Sequence, residues 1–302
     1  MKIGIFLSAA IVVLFVMLLL LNRGEPATKP TAETGPDQLK LIALPGGASS
    51  VFKPARPEAN GDALWHKALG HFDGHAQTLT SLPVPESAAK AWADLIAAAA
   101  EAGQVSERFL DQDTPLRAAA MGKHCDALQH APVVVLTYGQ TLFDQGKKEQ
   151  AISLAREIWA LGYHTYTRNL RLRERFLGLW CLANASDALK SWLEGDEAVD
   201  MEKMDRQIND ANKRFEGKFK LLMTVDPNRG DVIRLANHDE DPSFRAEAML
   251  KLGVLKFNPG NKANEKLMMQ TFAAGKADKN PHVAAAAAAA EALTLEEMKR
   301  MR

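Results

Sequence analysis

The stretch Asp241-Pro242-Ser243-Phe244-Arg245-Ala246-Glu247-Ala248 decides the fold, because its residue order is that of a helix start followed by a packing face. Asp can cap a helix N-terminus, and Pro is tolerated in the first turn. The order returns 39 residues later as Asn280-Pro281-His282-Val283-Ala284-Ala285-Ala286-Ala287. Cap, proline, apolar residue and both alanines recur in register, while Arg245 is replaced by Ala284. This recurrence predicts two copies of one helical unit.

On these residues, the segment 226–295 resembles HEAT repeats, which are paired helices that stack into α-solenoids. Leu250, Leu252 and Gly253 continue the first helix in the manner of that family. The resemblance implies stacked hairpins. Because fewer than three such units bury too little apolar surface to be stable alone, we expect adjoining helices to support them.

A second segment, Val135 to Tyr163, resembles one tetratricopeptide repeat. Gly139 and Ala151 occupy the two small-residue positions that let antiparallel helices approach, and Gly146 provides the turn between them. The segment departs from the family at three later consensus positions, which hold Ala155, Ile158 and Tyr163. We therefore predict a single degenerate copy.

From residue 61 onward there is no sustained alternation of the kind strands show, so the sequence predicts an all-α, α-solenoid-like domain. Residues 197–223 carry apolar side chains at spacings of three and four, which favours one long core-facing helix over a coiled-coil strand. Pro and Gly indicate the other boundaries. We predict helix starts at Ser87, Thr114-Pro115, Pro132 and Thr165, and helix ends at Gly103, Gly146, Gly162 and Gly195.

The N-terminal residues 3–21 contain no charged side chain and would span roughly 29 Å as a helix, the thickness of a bilayer core. Bulky leucines stand where signal peptidase would need small residues, which favours a retained anchor over a cleaved signal peptide. The charges on the two sides of this segment nearly balance. A short N-terminus usually stays inside, so we expect an extracytoplasmic domain on a single-pass membrane protein.

Between the anchor and the helices, residues 23–60 hold six of the chain's 14 prolines and are predicted to form a linker. The apolar hexamer 39–44 interrupts it and would either dock on the domain as an extended strip or stay mobile. The predicted organisation is an anchor at 1–22, a linker at 23–60, helical hairpins at 61–195, a long helix at 196–225 and repeats at 226–302.

The overall composition excludes some classes of protein. Lys+Arg and Asp+Glu both number 37, which argues against a nucleic-acid binder, because such proteins need excess cations. Two cysteines, Cys125 and Cys181, exclude a disulfide framework. We predict that both are buried free thiols, with a single bridge as the alternative.

Three groups of residues could carry chemistry. His66, His71 and His75 are weak metal candidates, because His71 and His75 share a helix face, but surface or turn histidines are the more common case. His124, Cys125 and His130 could supply metal ligands or a nucleophile with its base, although core and surface roles are favoured. The basic cluster of Arg168, Arg171, Arg173 and Arg175 could contact lipid phosphates or an acidic partner, but a solvated face is favoured.

No cofactor motif or small-molecule site is predicted, and catalysis is not expected. The leading hypothesis is a membrane-anchored helical-repeat scaffold that binds another protein. The alternatives are a non-catalytic subunit of a larger membrane complex and, less favoured, a metal-dependent enzyme that uses His66, His71 and His75.

Overall fold

The computed structural model describes residues 61–101, 115–168, 172–255 and 262–300. Every regular element in these ranges is an α-helix, which confirms the all-α prediction. Ten helices occupy them: α1 Asp62–Leu79, α2 Glu86–Glu101, α3 Pro115–Asp144, α4 Lys148–Arg168, α5 Leu172–Trp192, α6 Gly195–Met223, α7 Arg229–His238, α8 Pro242–Val254, α9 Lys262–Lys276 and α10 Pro281–Arg300. Within them, none combines the length and apolar character needed to cross a bilayer. The predicted anchor and linker lie outside the described residues.

The helices are stacked in chain order. Most of them pack against the next helix and against the next but one, an arrangement compatible with a helical-repeat fold. We call α1–α6 the N-terminal stack and α7–α10 the C-terminal stack. The two stacks meet mainly where α8 touches α5 and α6, and we call this contact the seam.

The long helix predicted at 197–223 is confirmed as α6. Its apolar stripe is buried against α5, as expected for a core-facing helix. Near its C-terminal end the stripe reaches the seam, where the rings of Phe215 and Phe244 lie 5.0 Å apart. Phe176 of α5 stacks on Phe219 at 5.0 Å beside them. The seam is therefore packed with aromatic side chains from three helices.

The turn predicted at Gly146 is confirmed. Gly146 has a φ of +79°, a left-handed conformation that strains residues with a Cβ atom. It ends α3, and the N–H of Lys147 donates to the carbonyl of Leu142 at 2.9 Å. A Cβ atom on Gly139 would lie 3.0 Å from the ring of Trp192, so this glycine brings α3 close to α5 as well as to α4.

The helix start predicted at Pro132 is wrong, because α3 runs without interruption from Pro115 to Asp144. Proline has no N–H, so the carbonyl of Leu128 loses its partner within the helix. The Cys181 thiol of α5 donates to that carbonyl at 3.5 Å, and the Trp180 indole donates to the carbonyl of Gln129 at 3.2 Å. A neighbouring helix thus replaces the hydrogen bonding that proline removes.

The boundaries predicted at Gly162, Thr165 and Gly195 are also wrong. Gly162 lies inside α4, and Gly195 begins α6 rather than ending a helix. A Cβ atom on Gly162 would lie 2.8 Å from the carbonyl oxygen of Gly178, and one on Gly178 would lie 2.6 Å from the nitrogen of Tyr166. α4 and α5 therefore touch backbone to backbone, and Gly162 is required for that contact rather than for a turn.

Candidate functional site

The three histidines proposed as metal ligands do not come together. The rings of His71 and His75 stack on one face of α1 with their centroids 4.4 Å apart, as the spacing predicted. The Nδ1 atom of His75 is hydrogen bonded to the carbonyl of His71 at 3.0 Å. His66 is exposed, five positions before His71, and so lies on another face of the helix. In the ranges the structure describes, no three His, Cys, Asp or Glu side chains form a metal-binding group.

The second candidate, His124, forms a buried chain with two residues that the sequence did not point to. The Trp65 indole of α1 donates to Nδ1 of His124 at 2.9 Å. Nε2 of His124 lies 3.0 Å from a carboxylate oxygen of Glu174 on α5. The exposed fractions of Trp65, His124 and Glu174 are 0%, 2% and 1%. We call this arrangement the Trp–His–Glu chain, and it links three helices of the N-terminal stack.

The geometry determines the tautomer of His124. An indole nitrogen can only donate, so Nδ1 must accept and carries no proton. The proton of the neutral imidazole therefore lies on Nε2, the nitrogen that is 3.0 Å from a carboxylate oxygen of Glu174. One ring nitrogen thus accepts a hydrogen bond from α1 and the other faces α5. In the nucleophile–base pair considered for His124 and Cys125, Nδ1 could not act as the base while it accepts from Trp65.

Both cysteines are buried free thiols, as predicted. Burial raises the pKa of the Cys181 thiol to about 12, so the thiol keeps its proton at neutral pH and can donate to Leu128. A protonated thiol is a poor nucleophile. Cys181 therefore has a structural role.

The arginine cluster does not lie on a single face. Arg173 is exposed, as a solvated face requires, whereas Arg175 is 3% exposed, so a solvated face is the wrong interpretation for Arg175. The Arg171 residue and the side chain of Arg168 lie outside the described set. The Arg175 guanidinium pairs with Asp241, donates to Ser243 Oγ at 3.0 Å, and donates to the carbonyl of Tyr166 at 3.2 Å. It connects α5 with the N-terminus of α8 across the seam.

The N-terminus of α8 is capped twice. As predicted, Asp241 is the N-cap, and its carboxylate accepts from the Ser243 N–H at 2.8 Å. Asp239, two residues earlier, accepts from the Asp241 N–H at 3.0 Å. The second oxygen of Asp239 lies 2.6 Å from the Lys218 ammonium of α6. Each capping carboxylate thus also binds a cation from the N-terminal stack.

The same arrangement is repeated at α10. Asn280 accepts from the His282 N–H at 3.0 Å, and Asp278 accepts from the Asn280 N–H at 2.8 Å. Asp278 is held by the guanidinium of Arg245 on α8, with N–O distances of 2.9 and 3.2 Å. Lys218–Asp239 and Arg245–Asp278 thus form a series from α6 to α8 to α10, and we call it the capping ladder.

Two carboxylates in different stacks have pKa values shifted in opposite directions. Burial, together with the charge of Glu101, raises the pKa of Glu157 on α4 to about 7. For Asp278, burial alone would raise the pKa, but hydrogen bonds from Arg245 and the Asn280 N–H, with the Arg245 charge, bring it below its ordinary value. No described metal-binding group includes either residue.

An open groove lies between the C-terminal ends of α8 and α10. Its volume is about 300 Å³. The exposed fractions of Val254 and Leu293, which line it, are 66% and 46%. The groove is lined by Gly253, Val254, Leu255, Leu293, Thr294, Glu296, Glu297 and Arg300. Exposed apolar side chains beside charged ones are typical of a surface that binds another molecule.

Sequence reasoning missed Trp65, Glu174 and Asp239 because their partners are remote in the chain. One signal was available. Asp239 and Asp278 are 39 residues apart, the same period as Asp241 and Asn280, so the repeated unit begins two residues earlier than the capping residues suggest. Comparisons of this chain with protein-family models, with curated proteins and with solved structures found no match.

Proposed function

We propose that this protein is a membrane-anchored helical-repeat scaffold whose HEAT-like C-terminal stack binds a protein partner. The observation that carries the proposal is the groove between α8 and α10, where large apolar side chains stay exposed at the end of an ordered stack. The anchor at 3–21 would confine this surface to the membrane. The linker at 23–60 would set its reach at roughly 30–40 Å.

The capping ladder supports this proposal. Because the starts of α8 and α10 are each bound by a cation from an earlier helix, the two helices that form the groove are tied to the rest of the stack. A rigid surface loses little conformational entropy when a partner binds. The buried polar side chains of the Trp–His–Glu chain and of Arg175 are engaged in joining helices, which fits a scaffold better than a catalyst.

A non-catalytic subunit of a larger membrane complex is the second candidate. Exposed apolar side chains occur outside the groove as well, among them Val225 at 91% and Met223 at 48%. A subunit that is permanently covered would carry such surface on several faces. The two candidates differ in whether the domain is stable without its partner. Cooperative unfolding of the isolated full chain at high temperature would favour the scaffold.

The test is a pull-down with the full-length chain after it has been solubilised from its native membrane in detergent. The measurement is the amount of each protein recovered together with the chain. We expect a stoichiometric partner with the wild type and its loss with Val254→Asp and Leu293→Asp. Leu267→Asp is the matched control, because Leu267 is similarly exposed, at 43%, on α9 away from the groove. Isolation of the wild type as a lone monomer under gentle conditions would contradict the proposal, as would equal loss with the control.

A further inference from the structure

We infer that the Trp–His–Glu chain is an acid-sensitive latch that holds α1 on the N-terminal stack and releases it when His124 takes up a second proton. The inference concerns how α1, the first described helix, is held on the rest of the N-terminal stack. It holds or fails independently of any partner at the α8–α10 groove.

The latch follows from the tautomer of His124. In the neutral imidazole, Nδ1 accepts from the Trp65 indole at 2.9 Å, and Nε2, which carries the proton, lies 3.0 Å from a carboxylate oxygen of Glu174. A second proton can only bind at Nδ1, since Nε2 already carries one. The new N–H would then face the indole N–H across the same 2.9 Å. Two donors cannot share a hydrogen bond, so protonation breaks the link to Trp65.

His124 also lies beside an acidic side chain. A carboxylate oxygen of Glu174 is 3.0 Å from Nε2, the ring nitrogen that faces α5. A second proton at Nδ1 would leave this contact in place, while the contact with α1 would lose its hydrogen bond. Trp65 is fully buried, so its indole N–H would be left without a hydrogen-bond acceptor, which destabilises the packed position of α1.

The other titratable groups in this region can be named. Asp73 of α1 pairs with Lys123 of α3 at 2.7 Å, and the ring of His130 on α3 lies 5.9 Å from Phe72 of α1. Burial lowers the pKa of His130, and burial together with the charge of His75 lowers the pKa of His71 on α1. Protonation of either ring therefore also opposes the packed state. Neighbouring α4 carries the buried His164 and the partly buried Glu157, and α2 carries the exposed Lys90–Asp94 pair.

Release of α1 would change the described surface. α1 is the first described helix and packs against α2 and α3, so its release would uncover the faces of those helices that it covers.

The test is hydrogen–deuterium exchange of the full-length chain at about pH 7.5 and about pH 5.5, on either side of the ordinary imidazole range near 6.5. Exchange is corrected for its chemical pH dependence, and peptides of α8 serve as the internal reference. We expect protection of α1 relative to α8 to fall about tenfold at the lower pH in the wild type, as loss of one buried hydrogen bond predicts.

Two variants make the test specific. Trp65→Phe removes the indole donor, so the pH response of α1 should shrink to the part that His71 and His130 contribute. His66→Gln is the control, because it removes an exposed imidazole from the same helix and should respond as the wild type does. If Trp65→Phe does not fold, His124→Gln, which has no imidazole to protonate, replaces it with the same expectation. A wild-type α1 whose relative protection is the same at both pH values would overturn the inference. So would a response in Trp65→Phe or His124→Gln as large as that of the wild type.

Discussion

The N-terminal and C-terminal stacks join their helices in different ways. In the N-terminal stack two of the joining contacts are dry: Gly162 meets Gly178 backbone to backbone, and Glu174 of the Trp–His–Glu chain is 1% exposed. In the C-terminal stack the capping ladder joins helices through an ion pair in partial contact with water, with the side chains of Arg245 and Asp278 at 17% and 19% exposure.

The two kinds of contact should respond differently to substitution. Water cannot replace a buried group when its partner is lost, so substitutions at the dry contacts of the N-terminal stack should be costly. Partly exposed ion pairs can be hydrated and are screened by salt, so substitutions in the capping ladder should be mild and salt-dependent. The seam combines the two, because the buried Arg175 binds the partly exposed cap of α8.

The largest effect is expected at the seam. Arg175→Ala leaves Asp241 without its guanidinium and removes the bonds to Ser243 and the Tyr166 carbonyl. We expect a loss of about 3–5 kcal/mol in the free energy of unfolding, measured by urea titration. Arg245→Ala is the matched variant in the ladder and should cost about 1–2 kcal/mol, less at high salt. Equal costs for the two arginines would remove the distinction between the stacks.

The second test addresses the backbone contact between α4 and α5. A Cβ atom on Gly178 would lie 2.6 Å from the Tyr166 nitrogen, so Gly178→Ala must push the two helices apart. We expect a loss of about 2–3 kcal/mol, measured in the same way. Gly217→Ala on α6 is the control, since no atom lies within 4 Å of its added Cβ. The control should gain up to about 1 kcal/mol from helix propensity.

The third test uses the opposite pKa shifts of Glu157 and Asp278. Folding raises the pKa of Glu157 from an ordinary value of 4.5 to about 7. Between these two pH values the unfolded chain has lost the Glu157 proton while the folded chain still holds it. The free energy of unfolding therefore falls as the pH rises from 4.5 to about 7. Glu157→Gln should remove that fall and gain about 1–2 kcal/mol above pH 7, with the shift discounted for partial exposure. A pH profile of urea midpoints that is unchanged by Glu157→Gln would show that Glu157 is solvated.

For Asp278 the sign is reversed. Its pKa is lowered in the folded chain, so the stability it contributes is present above the ordinary value of 3.8 and is lost as pH falls through the lowered value. Asp278→Asn should flatten the acid limb of the same profile and leave the fall assigned to Glu157 in place. An acid limb identical to that of the wild type would indicate that the Arg245 pair contributes nothing to stability.

The smallest effect is expected at the carbonyl freed by Pro132. Cys181→Ala removes the thiol that donates to Leu128, which should cost about 1 kcal/mol. Pro132→Ala restores a backbone N–H for that carbonyl, so the lost thiol should matter less in the double variant. A double-mutant cycle should give a coupling of about 0.5–1 kcal/mol. Strict additivity would mean that the thiol and the missing N–H are unrelated.

Of the candidate site residues, sequence could identify Asp241 and Asn280 as caps, because a cap acts on a backbone N–H only two positions away. It could not assign Arg175, whose partner Asp241 is 66 residues distant, or His124, whose partners lie on α1 and α5. A side chain's charge and its spacing along a helix do not specify which helix will cover it. Burial of Arg175 is a property of the seam, not of the run of arginines around it.

The all-α class, the amphipathic α6 and the repeated helix starts at Pro242 and Pro281 follow from sequence, because periodicity and capping depend on residues within a few positions of each other. That α3 continues through Pro132 and α4 through Gly162 depends on contacts between helices. Proline ends a helix when the carbonyl it frees has no other donor, and here the Cys181 thiol of α5, supported by Trp180 on the next carbonyl, supplies one. Glycine ends a helix when the chain must turn, and here it lets a second backbone approach.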